Sequence, residues 1–171
     1  MICYRCRKSF QPGKATASIM TYGMPAFCSE HCLREHIGAL PPLSVLDLKQ
    51  LGIQRAPIDF LPKDCYSPLL NNRFRSQFEC GVAERVVSEW KNPIAYEAHM
   101  VRFSPRKIYI PDFWLPANGV WFEAKGEWRL GARKKFLMAV ERLGKERLLM
   151  IPPYYLKWFK LKRGRAWLQE Q

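Results

Sequence analysis

Two carboxylates and an amine fall close together in the middle of this 171-residue chain: Pro111-Asp112, ten intervening residues, then Glu123-Ala124-Lys125. Carboxylate oxygens suit a hard cation such as Mg²⁺ or Mn²⁺. An ammonium beside them can orient an attacking water or stabilise charge building on a phosphate. That is what a metal-dependent phosphodiester hydrolase requires. Residues 106–115 read as one strand, Ala117-Asn118-Gly119 as a tight turn and residues 120–126 as the next strand. Alternation then puts Val120, Phe122 and Ala124 on one face and Trp121, Glu123 and Lys125 on the other. Glu123 and Lys125 point the same way, with Asp112 facing them from the neighbouring strand. A plain hairpin carrying a surface Glu-x-Lys ion pair is the competing reading.

The elements around this pair must bring it a third ligand. Residues 74–90 read as a helix, because Phe78, Val82, Val86 and Trp90 recur every four residues on one stripe. Glu79 lies near its start, beside Phe78. A carboxylate on a packed side is costly unless paired or metal-bound, although a helix N-terminus also favours an acid. Strands follow near 94–103, 106–115 and 120–126, then a helix near 130–143 with Phe136, Leu137, Val140 and Leu143 at helical spacing. Gly144 closes that helix, and residues 147–151 form a buried strand. The expected core is α/β: helix, three-stranded meander, helix, strand. His99 reads as structural, Glu84 and Glu89 as solvent-facing, and Glu97 as a residue that assists the site.

This block resembles the PD-(D/E)xK nucleases, the restriction-endonuclease-like fold, and within them the endonuclease I type of phage Holliday-junction resolvases. The resemblance rests on Phe74-Arg75-Ser76-Gln77-Phe78-Glu79, Tyr96-Glu97, Tyr109-Ile110-Pro111-Asp112-Phe113, Asn118-Gly119-Val120 and Phe122-Glu123-Ala124-Lys125-Gly126, with Arg133-Lys134-Lys135 following. It covers about residues 72–151. It implies Glu79, Asp112 and Glu123 as metal-binding carboxylates, Lys125 as the amine of the motif and the Ala124 carbonyl as a further ligand. The implied reaction is attack of water on a backbone phosphate, leaving 5′-phosphate and 3′-hydroxyl ends. It is specific for nuclease chemistry and less so for substrate, since similar cores cut junctions, flaps, nicks or duplex sites.

Four cysteines make a second motif. Cys3-x2-Cys6 and Cys28-x3-Cys32, separated by twenty-one residues, frame a four-thiolate zinc site. The second pair opens a short helix over residues 29–37. Phe27-Cys28-Ser29-Glu30-His31-Cys32 resembles the treble-clef-like fingers of the MYM and TRASH type, with strands at 8–13 and 19–27. Disulfides compete with zinc. With no signal peptide or long apolar segment, a reducing, cytoplasmic setting is expected. His31 or His36 could replace a cysteine, but both read as surface residues. Cys65 and Cys80 read as free thiols. A module this small needs its metal to fold.

Residues 1–39 are thus expected to form the finger, 40–67 a connector, and 68–171 the nuclease domain. Pro41, Pro42, Pro57 and Pro62 stiffen the connector. Ser44 as cap, Asp47 three residues on and Gly52 beyond the end predict a short helix, whose Leu46, Leu48 and Leu51 need a surface to pack on.

The chain carries 28 Lys+Arg against 15 Asp+Glu, a net charge of +13 and a pI near 9.7. A field of that sign attracts polyanions, and 48% hydrophobic content excludes a disordered basic tail. Without an apolar span or lipidation signal, DNA is the expected partner and a membrane is not. Arg129, Arg133, Lys134 and Lys135 stand where they could hold phosphates flanking the scissile bond. Lys157, Lys160, Lys162, Arg163 and Arg165 alternate with aromatics in a C-terminal helix beginning at Pro152-Pro153 and could grip backbone at a branch. A structure-selective endonuclease acting as a homodimer is the expectation, because resolving a junction takes two symmetric incisions. A duplex-specific or nicking endonuclease and a non-catalytic zinc-finger adaptor are the alternatives.

Overall fold

The computed structural model describes residues 1–11, 24–57, 63–125 and 131–151. The C-terminal helix expected from Pro152 lies outside these residues; of the expected finger strands, 8–11 and 24–27 are described and form no strand, Ser9 making only an isolated bridge with Ile2. Among the described residues the chain is mixed α/β, with four helices and three small sheets.

The central sheet has the order β4 (Ala95–Tyr96), β7 (Phe113–Leu115), β8 (Val120–Ala124), β9 (Leu148–Ile151). The first three run antiparallel, whereas β9 runs parallel to β8, pairing Glu123 with Met150. Helix α4 (Ala132–Leu143) makes the crossover that a parallel pair requires. All five residues of β8 are buried, as expected of a strand covered on both faces. Val120, Phe122 and Ala124 share a core with Val82, Ala83 and Val86 of helix α3 (Gln77–Ser88) and with Trp90 just beyond its end. Trp121 packs with Phe136, Ala139 and Leu143 of α4 on the opposite face.

Two of the expected strands are broken, and both breaks lie at the site. Residues 94–103 divide into β4 and β5 (His99–Ser104), and residues 106–115 into β6 (Lys107–Tyr109) and β7. Glu97 has a positive φ of 48°, and Pro111 offers no N–H to a ladder. The Glu97 N–H donates instead to the Asp112 carbonyl at 2.8 Å. Asp112 therefore sits in a bend before β7, not within a strand. The outer halves, β5 and β6, form a second sheet with β1 (Ile53–Arg55) of the connector.

Helix α3 begins at Gln77 rather than Phe74. Ser76 is extended and accepts the Glu79 N–H as N-cap. Phe74 belongs instead to β3 (Asn72–Phe74), which pairs with β2 (Cys65–Ser67) in a hairpin that the sequence pattern did not reveal. Glu84 is buried, not solvent-facing, and accepts the Ser67 hydroxyl at 2.5 Å.

In the connector, helix α2 (Val45–Gln50) carries the expected capping box of Ser44 and Asp47. Leu48 and Leu51 pack on the second core, whereas Leu46 is exposed. Arg147 ties connector to turn by donating to the carbonyls of Pro41, Asn118 and Gly119. Gly119 has a φ of +62°, and a Cβ there would meet Leu43 at 2.8 Å.

The finger shares its core with the central sheet: Cys3, Phe27, Cys32, Leu33 and Ile37 join the α3 cluster. His36, expected at the surface, is buried; its Nε2 lies 3.0 Å from the Glu146 carbonyl oxygen, and its ring meets Tyr4 and Phe27. Helix α1 (Glu30–Gly38) is also held by Glu30, which accepts from Arg85 and from Trp90 Nε1.

Candidate functional site

The four cysteines converge. Cys3 and Cys6 flank a turn closed by the Arg7 N–H donating to the Cys3 carbonyl, with Arg7 at a φ of +62°. Cys28 and Cys32 lie at the start of α1, whose N-cap Ser29 accepts the Cys32 N–H. All four Sγ atoms fall within 4.8 Å of one another. Cys28 Sγ is 3.6 Å from both Cys6 Sγ and Cys32 Sγ. A tetrahedron with Zn–S bonds of about 2.3 Å places its sulfurs about 3.8 Å apart. The donor set and its spacing therefore fit zinc, and none of the four thiols is in a disulfide. Burial and neighbouring thiols push Cys28 up to about 12. Burial also works against the Cys3 thiolate, but backbone hydrogen bonds from Cys6, Cys28 and Arg5 outweigh it and bring Cys3 down to about 6. His31 is exposed. Neither His31 nor His36 belongs to the cluster.

The carboxylates occupy the bend where the two sheets part. Asp112 Oδ2 accepts the Ala124 N–H at 2.7 Å, clamping the bend against β8. Glu123 Oε2 accepts the Tyr109 hydroxyl at 2.5 Å, and Glu123 Oε1 lies 3.5 Å from Lys125 Nζ. Glu79 reaches the same region from the first turn of α3. Its Oε2 accepts the Tyr96 hydroxyl at 2.6 Å and the Arg75 N–H at 3.1 Å, and its Oε1 accepts the Ser76 hydroxyl. Glu79 thus also fastens the residues that lead into its own helix.

The three acids feel one another. Burial raises Asp112 well above the usual carboxylate range, and the charges of Glu123 and Glu79 add to it; the Ala124 N–H and Lys125 oppose the shift without cancelling it. Burial also raises Glu123, helped by Glu79 and resisted by Tyr109 and Lys125. One ammonium does not balance two buried acids, Glu79 and Glu123, and the half-buried Asp112. Such a set favours a divalent cation, and its hard oxygens fit Mg²⁺ or Mn²⁺. The three carboxylates are not drawn together like the thiols: among the described residues, the cysteines form the group of potential ligands lying within 4.8 Å of one another.

No family model, curated protein or solved structure matches this chain.

Glu97 is paired with Arg75 at 2.7 Å and with Lys63 at 3.0 Å. His99 accepts the Trp121 indole N–H at 3.1 Å, and burial lowers its pKa, in keeping with a structural role. Arg133, Lys134 and Lys135 are exposed at the start of α4. Arg133 and Lys134 line an open concavity with Leu137, Met138 and Glu141. The same helix reaches the carboxylates through Phe136, whose ring lies 6.2 Å from that of Tyr109. Arg129, Lys157, Lys160, Lys162, Arg163 and Arg165 lie outside the described residues. No described helix is long and apolar enough to cross a membrane.

Sequence reasoning gave no role to Tyr96 and Tyr109, the two hydroxyls that hold Glu79 and Glu123. The signal that could have found them is an aromatic hydroxyl in a buried strand, which needs a polar partner.

Proposed function

We propose that this protein is a divalent-metal-dependent endonuclease that hydrolyses backbone phosphodiesters in branched DNA. The observation that carries the reading is the grouping of Glu79, Asp112 and Glu123, in which Asp112 and Glu123 are raised by burial and by the neighbouring acids, with Lys125 beside them. The order of α3, an antiparallel meander, α4 and a parallel strand supports a restriction-endonuclease-like core. The net charge of +13 supports a polyanionic substrate.

Glu79, Asp112 and Glu123 would hold the Mg²⁺ or Mn²⁺, with the Ala124 carbonyl beside them. The bound cation supplies an acidified water and neutralises charge on the phosphate. Lys125 places a positive charge next to Glu123, where it can orient the nucleophile or meet charge growing on phosphate oxygen. Tyr109 and Tyr96 fix the rotamers of Glu123 and Glu79, so little reorganisation remains. Arg133, Lys134 and Lys135 lie on the helix adjoining Glu123 and hold flanking phosphates. The zinc-loaded finger braces α3, the helix that carries Glu79. A homodimer would place two such centres for paired incision.

The test offers zinc-loaded protein a four-way junction, a nicked duplex and a plain duplex, with and without Mg²⁺. Mg²⁺-dependent cutting of the junction is expected. Binding of all three without cutting would sink the enzymatic reading and favour an adaptor. The separation of the carboxylates is the observation on the adaptor's side.

A further inference from the structure

From the hairpin of residues 65–74 we infer a wedge that inserts at a discontinuity in DNA and holds an unstacked base there. This inference rests on the proposed nuclease reading and names how the substrate would be recognised.

The hairpin is apolar and basic on its outside. Tyr66 is 48% exposed and Leu69, in the four-residue loop between β2 and β3, is 54% exposed. No described residue covers either side chain to the extent of burying it. An exposed aromatic and an exposed leucine on one short hairpin offer an apolar surface to a partner. Their neighbour is cationic: the Arg73 guanidinium stands over the Tyr66 ring, 5.6 Å from its centroid. An aromatic face beside a guanidinium suits a nucleobase beside its phosphate.

The hairpin is also braced, as a wedge must be. Buried Ser67 donates to Glu84 of α3 at 2.5 Å and accepts the Leu70 N–H at 3.2 Å. That pair of bonds ties the loop to a helix through a glutamate that the proposed chemistry does not use. Tyr66 is fixed in turn by its hydroxyl, which donates to Asn71 Oδ1 at 2.8 Å. The chain then leads directly to the candidate centre, because the N–H of Arg75, next after Phe74, donates to Glu79 Oε2. A base held at the loop would therefore place its strand near the metal ligands. Intact duplex offers no gap for Leu69, whereas a branch or nick already has an unstacked step, so insertion there costs less.

The experiment uses Leu69→Ser and Tyr66→Ser in the full zinc-loaded protein, without Mg²⁺ so that nothing is cut. Binding is measured to a four-way junction carrying 2-aminopurine at the branch and to linear duplex of the same length. Both positions are exposed, so zinc content and melting temperature should match the parent. Expected are a fluorescence rise with the parent that each variant loses, a junction affinity reduced about tenfold, and an unchanged duplex affinity. If the parent binds junctions here and cuts them once Mg²⁺ is added, but the variants keep their affinity and signal, the wedge falls and the nuclease reading stands. If the parent binds no DNA, both fall. A change in sedimentation with no change in DNA binding would mark the face as a protein contact and overturn the wedge.

Discussion

The four cysteines and the three carboxylates are both sets of candidate ligands, yet the fold holds them differently. The thiols sit within 4.8 Å of one another because two tight local turns impose it: the Cys3–Cys6 turn and the capped start of α1. The carboxylates come from a helix, a bend and a strand, each already tethered to its own donor: Tyr96, the Ala124 N–H or Tyr109. A closed four-thiolate site is built to keep its ion, whereas an open carboxylate site must leave room for water and substrate. Under the proposed function, the difference would separate a metal that the fold depends on from one that the chemistry depends on.

Removing the first metal should have the largest effect. Structural zinc in finger peptides contributes about 10–16 kcal/mol of apparent binding free energy. Cys28→Ser, or chelation, should release zinc and unfold the finger, read by metal content and limited proteolysis. Because Cys3, Phe27 and Leu33 share a core with Val82 and Trp90, the melting temperature of the whole chain should fall. A finger that melts alone, leaving the main transition unmoved, would contradict that shared core.

Asp112→Asn should do the reverse. The amide oxygen can still accept the Ala124 N–H, but the charge is gone. Cleavage should fall at least about a hundredfold, with zinc content unchanged. The native pKa of Asp112 is raised above its unfolded value. Between those two values the folded state keeps a proton that the unfolded state releases, so stability drops as pH rises through that window. Above it the full cost of the charge remains. Without Mg²⁺ the Asn variant should therefore melt higher than the parent at pH 8, roughly 2–4 °C for each kcal/mol relieved in a chain of this size. Stabilisation of the parent by Mg²⁺ should grow as pH rises through that window and be smaller in the variant. A lower melting temperature for the variant would show that the repulsion has been misread.

Tyr109→Phe tests the tether of Glu123 with a smaller change. Loss of a bond that orients a ligand typically costs about 10–100-fold in metal affinity. The Mg²⁺ concentration for half-maximal cleavage should rise by that factor while zinc content stays fixed. An unaltered Mg²⁺ dependence would reduce Tyr109 to a packing residue.

How much of this could be read in the sequence also divides along the two regions. The thiols were legible because their geometry is local: x2 and x3 spacings on turns leave few alternatives. The carboxylates were legible as a grouping, since strand alternation placed Glu123 and Lys125 together and the stripe of α3 brought Glu79 inward. Their backbone was not. Residues 94–115 read as two long strands; Pro111 is the local signal of the break in the second, but nothing local announces that Glu97 will take a positive φ and divide the first between two sheets. The 65–74 hairpin was hidden for a related reason. Phe74 fits the apolar stripe of α3 and was absorbed into it, although Ser76 is the cap. His36 was misplaced because its partner, Glu146, lies 110 residues away.

The smallest expected effect calibrates the others, since acid also weakens thiolate binding to zinc. His99 accepts from Trp121 Nε1, and its ring packs at a tilt against Trp114, centroids 4.9 Å apart. Burial holds its pKa below the ordinary value. The unfolded chain therefore takes up a proton first as pH falls below about 6.5, and stability declines from there down to the lowered folded value. One proton contributes at most about 1.4 kcal/mol per pH unit. His99→Gln keeps an acceptor for the indole but cannot be protonated. Urea melts of parent and variant at pH 7.5 and 5.5, with zinc in excess, should show the parent losing more stability over that interval. Equal losses would trace the acid response to the thiolates or carboxylates rather than to the imidazole packed between the tryptophans.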